Sequence, residues 1–246
     1  MDSTQKFTGK AEIYAAARQG YPKALMDYLY DAVGFCDDSV IADIGAGTGK
    51  FSVELLRRGS EVFCVEPNDD MRAVAEREMS SYGGFHPVKG TSANTGLAPQ
   101  SVDFVTAAQA FHWFDVDSFR RECRRILRAG GKVVLVWNMR TECELNTRNA
   151  AIFARYCPDF KGFSSEQRDR AGVERFFEGE FERVVFDNTY RLDKPTFIAR
   201  CESGSYSLPS DAPHYEEYMR ELEQLFEEYA ANGVVKIPSQ TVAYIH

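Results

Sequence analysis

Between Asp43 and Glu66 the chain concentrates residue types suited to holding a ligand: Asp43-x-Gly45-x-Gly47-x-Gly49, then a carboxylate 21 positions after Gly45. Glycine at such a loop lets backbone approach a ligand closely or turn with positive φ. A carboxylate accepts two hydrogen bonds from a vicinal diol in one planar geometry, which suits Glu66 to gripping ribose hydroxyls. Its other available duty is to cap the helix that follows. Two phosphate-binding patterns fail on the same residues. A phosphate-cradling loop needs Gly-x-x-x-x-Gly-Lys and then Ser or Thr, but Phe51 follows Gly49-Lys50 and Ile44 stands where the first glycine belongs. A dinucleotide fingerprint, Gly-x-Gly-x-x-Gly, is broken because Lys50 occupies the helix-packing glycine.

A second concentration is the stretch "AAQAFHWFD", which brings Gln109, Phe111, His112, Trp113 and Phe114 to the end of an apolar run. His112 is a candidate general base there, and equally a histidine hydrogen-bonded at a strand end. His86, His214 and His246 stand apart, and no His, Asp and Glu set has metal-ligand spacing, so no metal is expected.

The elements that must position these residues alternate in type. "VIADIG", "EVFCVEP", "FHPVKG", "SVDFVTAAQAF" and "KVVLVWN" read as five strands, separated by helices over "GKFSVELLRRGS", "NDDMRAVAEREMSS" and "DVDSFRRECRRILRAGG". Asn68 is the expected N-cap of the second of these helices. Ahead of them, "GKAEIYAAARQG" and "YPKALMDYLYDAVG" read as two short helices, the latter with Pro22 at its start and Gly34 at its end. Strands apolar on both faces and joined through helices predict a parallel sheet wound by right-handed crossovers. In such sheets ligands bind beyond the carboxyl ends of the strands, where the loop after Ile44 lies.

After Asn138 the rhythm changes to aromatic-rich helical segments. "FERVVFDNTYRL" reads as a strand, "KPTFIARCESGSY" as a helix breaking at Gly204, and "PHYEEYMRELEQLFEEYAANG" as an amphipathic helix stopped by Gly233. The final "VVKIPSQTVAYIH" reads as an edge strand. The expected organisation is a core with an N-terminal helical lid over 1–139, followed by cap helices and the last two strands over 140–246. Trp137, Asn138, Tyr156, Tyr206 and Tyr215 are the cap's pocket candidates, set against the simpler reading of packing aromatics.

With 246 residues, 44% hydrophobic and 27% charged, the chain is able to bury a large core. Its formal net charge of −8 provides no basic field for a nucleic acid. Six cysteines without a Cys-x-x-Cys pair, and no apolar run of membrane-spanning length, predict a cytoplasmic protein.

The Asp43-x-Gly45-x-Gly47-x-Gly49 loop, Glu66 and "AAQAFHWFD" together resemble the class I S-adenosylmethionine-dependent methyltransferases. Within these the resemblance is to the type 11 group that includes ubiquinone/menaquinone and trans-aconitate methyltransferase-like enzymes. It implies an α/β Rossmann-like, seven-stranded, mostly parallel sheet with helices on both faces and a helical cap. It also implies S-adenosyl-L-methionine as cofactor and a small-molecule methyl acceptor, with O-, N- and C-methylation left open. On this resemblance Gly45 and Gly47 lie against the cofactor, and Asp43 orients the loop or meets the ammonium group through water. Glu66 clamps the ribose. Met71 faces adenine or is ordinary core. Ser92 and Ala93, in "GTSANTGLAP", take the place where such enzymes present an acid to adenine, so backbone groups and Ser92 would serve it here. Gln109 borders the methionine portion, and Trp113 with its aromatic neighbours offers cation–π attraction to the sulfonium. The N-terminal Phe7, Tyr14, Arg18, Tyr21 and Pro22 match a pattern that folds over the cofactor, Arg18 being able to pair with its carboxylate. "ESGSYSLP" matches a Ser-x-Ser-Tyr element between two cap helices. The rival readings are a non-catalytic S-adenosylmethionine-binding module, a nicotinamide oxidoreductase and an RNA or protein methyltransferase.

Overall fold

The computed structural model of the chain describes residues 20–163, 166–204 and 206–246. Helix α1 (Lys23–Tyr28) continues as a π turn over Leu29–Val33 and is closed by Gly34 with φ +106°. There follow β1 (Val40–Ile44), α2 (Ser52–Leu56), β2 (Glu61–Val65), α3 (Asp69–Met79), β3 (Phe85–Val88) and β4 (Val102–Ala108). A 3-10 turn over Phe111–Trp113 leads to α4 (Val116–Ile126) and the long β5 (Leu127–Arg140). The second half contributes α5 (Glu144–Tyr156), α6 (Glu166–Phe177), β6 (Glu182–Asp187), β7 (Tyr190–Asp193), α7 (Lys194–Glu202), α8 (Tyr215–Tyr229), β8 (Val234–Ile237) and β9 (Ser239–Ile245).

Seven strands form one sheet in the order β3-β2-β1-β4-β5-β9-β6, with β7 and β8 as a separate antiparallel ribbon. β3, β2, β1, β4 and β5 run parallel, and β9 runs antiparallel between β5 and β6. The sheet therefore has the expected α/β, mostly parallel form. Pleating sends alternate residues to opposite faces. Ile41, Val62, Val134 and Val136 enter a core shared with Leu25, Leu29 and Leu55. Ala42, Ile44, Val133, Leu135 and Trp137 enter the opposite one, with Phe111, Phe119 and Phe176.

Four expectations change. The last strand is interior: β9 is buried along nearly its whole length, and β6, with four of its six residues exposed, takes the edge. "VVKIPSQTVAYIH" is two strands, broken at Pro238, whose ring leaves no N–H for a ladder. "FERVVFDNTYRL" likewise divides, at Asn188 and Thr189, where the Asn188 side chain donates to Thr241 Oγ1 (2.9 Å), Asn138 Oδ1 (3.1 Å) and the Gly20 carbonyl (3.1 Å). The helix read through to Gly130 and Gly131 ends at Ile126. A side chain at Gly131 would lie 2.7 Å from the Asp103 carbonyl, so the strands approach closely there.

The cap buries its own cluster, in which Phe153 of α5 and Phe197 of α7 meet Tyr218, Leu222 and Phe226 of α8 and Val235 of β8. Full burial of each such aliphatic or phenyl side chain contributes roughly 1.5–3 kcal/mol. Gly233, read as the stop of α8, has φ +75° in the turn to β8, three residues beyond the C-cap at Ala230.

Candidate functional site: a glycine–carboxylate cleft at the switch point

The chain leaves β1 toward β2 and returns through β4 on its other side, so the carboxyl ends of β1 and β4 diverge around a crevice. A cleft of about 250 Å³ lies there. It is lined from β1 and its loop by Asp43, Gly45, Gly47, Thr48 and Lys50, from β2 by Glu66, and from the end of β4 by Gln109, Trp113 and Phe114.

The three loop glycines have three different causes. Gly45 has φ +70°, and a side chain there would meet Ala110 Cβ at 2.7 Å, so close approach of the 3-10 turn demands glycine. Gly47 has φ +60° and nothing within 4 Å of where a side chain would project, so its backbone faces open cleft. Gly49 instead packs against α3, where an added Cβ would strike Met79 Cε at 2.1 Å. Only the first two serve the cleft.

Glu66 is held by backbone on both oxygens. Its Oε2 accepts from Gly47 N and its Oε1 from Asn68 N, each at 2.9 Å. Burial raises its pKa, and the two amides oppose that shift. A carboxylate offers about four lone-pair sites, so two acceptor positions remain for a ligand. The helix-capping duty belongs to Asn68, whose Oδ1 accepts from Met71 N at 3.0 Å. Asp43 is buried and accepts from Ser52 Oγ (2.6 Å) and Thr106 Oγ1 (2.8 Å), tying β1 to α2 and β4. Loss of solvent pushes its carboxyl up to about 6 despite those two bonds. Lys50, half-buried, has its pKa lowered by desolvation. Gln109 holds φ +58°, an uncommon conformation for a residue with a side chain. It is kept there by its N–H on the Val136 carbonyl (2.8 Å) and by Nε2 on the Asn138 carbonyl (3.0 Å).

Asp43, Gly45, Gly47, Glu66, Met71, Ser92, Gln109 and Trp113 thus converge on one cleft, as do Tyr21 and Asn138. Met71 is both buried core and cleft wall, so its two readings coincide. Ala93 and His112 are exposed and are not among the lining residues. The 3-10 turn carries the His112 side chain outward while Trp113 and Phe114 remain at the cleft, which removes the geometric basis for His112 as the base. Phe7, Tyr14 and Arg18 lie outside the described residues. Of the cap's candidates, Trp137 is core, Tyr156 donates to Glu221 (2.8 Å) and Tyr215 donates to Glu202. In "ESGSYSLP", Ser207 turns back onto the Glu202 and Gly204 carbonyls.

Three polar lining residues escaped the sequence reading. Thr48 is buried with Oγ1 lacking a hydrogen-bond partner, and Lys50 read only as a missing glycine. Arg200 reaches the cleft from α7, stacked on Tyr190 with 4.6 Å between guanidinium carbon and ring centroid. No local pattern marks it, since its place depends on how the cap packs.

A doubly wound sheet with a glycine loop and a backbone-tethered carboxylate at its switch point has the form of the α/β sheets that take ligands beyond the carboxyl ends of their strands. Residues 42–135 match the family model described as "Methyltransferase domain". That segment is similar to methyltransferase domains. An uncharacterized methyltransferase of Mycobacterium tuberculosis is 35% identical over 141 residues, 57% of this chain and 55% of that protein. An uncharacterized methyltransferase-like protein of Schizosaccharomyces pombe is 32% identical over 154 residues, 62% of this chain and 59% of its own. The chain therefore aligns with little more than half the length of these relatives. Among solved structures, a candidate type II methyltransferase from Anaeromyxobacter dehalogenans shares the fold with a TM-score of 0.65 at 22% identity, covering 93% of this chain and 95% of that one. No helix among the described residues is long and apolar enough to cross a membrane.

Proposed function

We propose that this chain is an S-adenosyl-L-methionine-dependent methyltransferase acting on a small-molecule acceptor in the cytoplasm. The observation that carries the reading is the Glu66 carboxylate, fixed by the Gly47 and Asn68 amides with acceptor capacity left beside an open glycine backbone. The unpartnered Thr48 hydroxyl and the solvent-poor Asp43 carboxylate favour a ligand rich in hydroxyl and ammonium groups. When bound, the cofactor supplies an electrophilic methyl group on a sulfonium.

The chain's own residues do the holding. Glu66 accepts from the ribose diol, and Met71 provides an apolar wall for the base, with Ser92 at its rim. Asp43 attracts the ammonium, and Lys50 attracts the carboxylate, which would favour the charged amine that burial disfavours. Trp113 and Phe114 present aromatic faces to a cation and keep water out of the transfer path. Catalysis on this reading is positioning and desolvation. Six unpaired cysteines suit a reducing compartment.

Calorimetric titration with S-adenosylhomocysteine, and separately with NAD, tests the assignment on wild type and Glu66→Gln. The isosteric amide has one acceptor oxygen and an NH2 donor in place of two acceptor oxygens, so homocysteine-form binding should weaken about 10–100-fold, the value of a charge-assisted hydrogen-bond pair. Binding of NAD in its place, or equal affinity in the variant, would overturn the reading.

A further inference from the structure

The outer edge of the sheet carries a strand whose free side matches itself. β6 pairs with β9 in one unbroken register from Glu182↔Ile245 to Asp187↔Gln240, and among the described residues no strand pairs with its other side. Hydrogen-bonded pairs alternate along an antiparallel ladder. Asn188 N donates to the Ser239 carbonyl (3.0 Å) just beyond β6, so Phe186, Val184 and Glu182 are the residues bonded to β9. The far side of β9 agrees: Val133 and His246 exchange both bonds, which turns Tyr244 and Val242 to β5 and leaves Ala243 and Ile245 to β6. Arg183, Val185 and Asp187 therefore direct their N–H and C=O groups outward. Their side chains share the exposed face of the strand, whereas Val184 and Phe186 pack on the core with Leu25 and Ile41. Among the described residues the large apolar side chains standing exposed are Trp113, which borders the cleft, and Val185, 41% exposed at the centre of this free edge.

An edge ordinarily carries a lysine, a proline or a bulge that turns other strands away. β6 has none of the three, and its outward residues read cation, apolar, anion. That order is its own complement when a second copy runs antiparallel. Hydrogen bonding requires outward residues to face outward residues, so a two-fold axis must pass at a residue position and not between two. Centred on Val184, Arg183 would face Val185 and Glu182 would face Phe186. Centred on Phe186, Val185 would face Asp187. Centred on Val185, Arg183 of each copy faces Asp187 of the other, and Val185 faces Val185. On the opposite face Val184 then meets Phe186, and Glu182 meets Asn188, so no like charges oppose. Opposite charges and β-branched–aromatic pairs are the favourable cross-strand neighbours. The register depends on the signs of Arg183 and Asp187 at the surface, whatever else each touches.

We propose that the chain forms a two-fold symmetric dimer by antiparallel pairing of β6 with β6 of a second copy about Val185, joining two seven-stranded sheets into one. The occupant of the edge is a second copy because the cation–apolar–anion order is satisfied by its own reverse. This dimer does not depend on what the cleft binds.

Sedimentation equilibrium of the full chain tests the pairing. A contact centred on one pair of short strands is small, so wild type should dimerise weakly, with a Kd of about 10–100 µM. Val185→Lys sets two ammonium groups against each other at the axis and should raise Kd at least about tenfold. Arg183→Asp and Asp187→Arg each create two like-charge pairs and should be monomeric alone over the same range. Mixed in equal amounts, they oppose unlike charges at both positions and should dimerise again. Circular dichroism checks that each variant is folded. Should Asp187→Arg disturb the turn in which Asp187 accepts from Thr189, Val185→Lys and Arg183→Asp still decide. A wild type that stays monomeric, a dimer unweakened by Val185→Lys, or no recovery in the mixture of folded charge variants would overturn the proposal.

Discussion

Replacing Asp43 by asparagine removes a buried charge while preserving shape, and the outcome is calculable from its surroundings. Ser52 and Thr106 donate to its two oxygens, yet burial leaves the carboxyl at about 6 against an ordinary 3.8. The folded value is the higher one, so the native state holds the proton more tightly than the unfolded chain does. Stability from this group is therefore complete below the unfolded value of 3.8 and is lost as pH rises through about 6. At pH 7 the gap corresponds to about 3 kcal/mol of destabilisation that asparagine avoids. One hydroxyl must turn to accept from the new amide, which costs about 1 kcal/mol. Urea unfolding should then show Asp43→Asn more stable by about 2 kcal/mol at pH 7, a Tm rise of about 4–8 °C for a chain of this size. The gain should vanish by about pH 4, where wild-type Asp43 is itself largely protonated. S-adenosylhomocysteine should bind the variant more weakly, because the charge that burdens the fold attracts the ligand's ammonium. A gain independent of pH, or a loss at pH 7, would refute the desolvation argument.

The glycine loop makes a paired prediction. Gly49→Ala forces a methyl onto Met79 and should cost about 1–3 kcal/mol of stability by chemical denaturation, through overpacking and backbone strain. Gly47→Ala meets no atoms and should cost only about 1 kcal/mol of stability, yet lower S-adenosylhomocysteine affinity by more than its stability loss suggests, because the methyl projects into open space at the cleft. Binding losses ranked the other way would contradict the division of roles. His112→Ala should leave that affinity within about twofold, as expected for an exposed side chain off the cleft wall; a larger loss by calorimetry would restore histidine to the site.

The amino-acid sequence by itself determined the winding of the sheet and the binding loop, because both are local. Apolar runs of strand length separated by capped helices leave few topologies, and the glycine spacing, Glu66 and the Asn68 cap lie within one strand–helix–strand unit. What only the tertiary structure decided depends on distant pairings. Whether β9 is edge or interior hinges on β6 adding outside it, and a strand's own residues do not report that. The distinction between Gly47 and Gly49 required knowing that Met79, thirty residues on, packs beneath the loop. His112 turned outward because a 3-10 turn rotates each side chain about 120° from the one before, a choice the stretch Phe111–Phe114 leaves open until Phe111 packs against Trp137 and Phe176. Asn138 and Arg200 stand far apart in sequence, and only the folding of the cap onto the end of β5 brings both to the cleft wall.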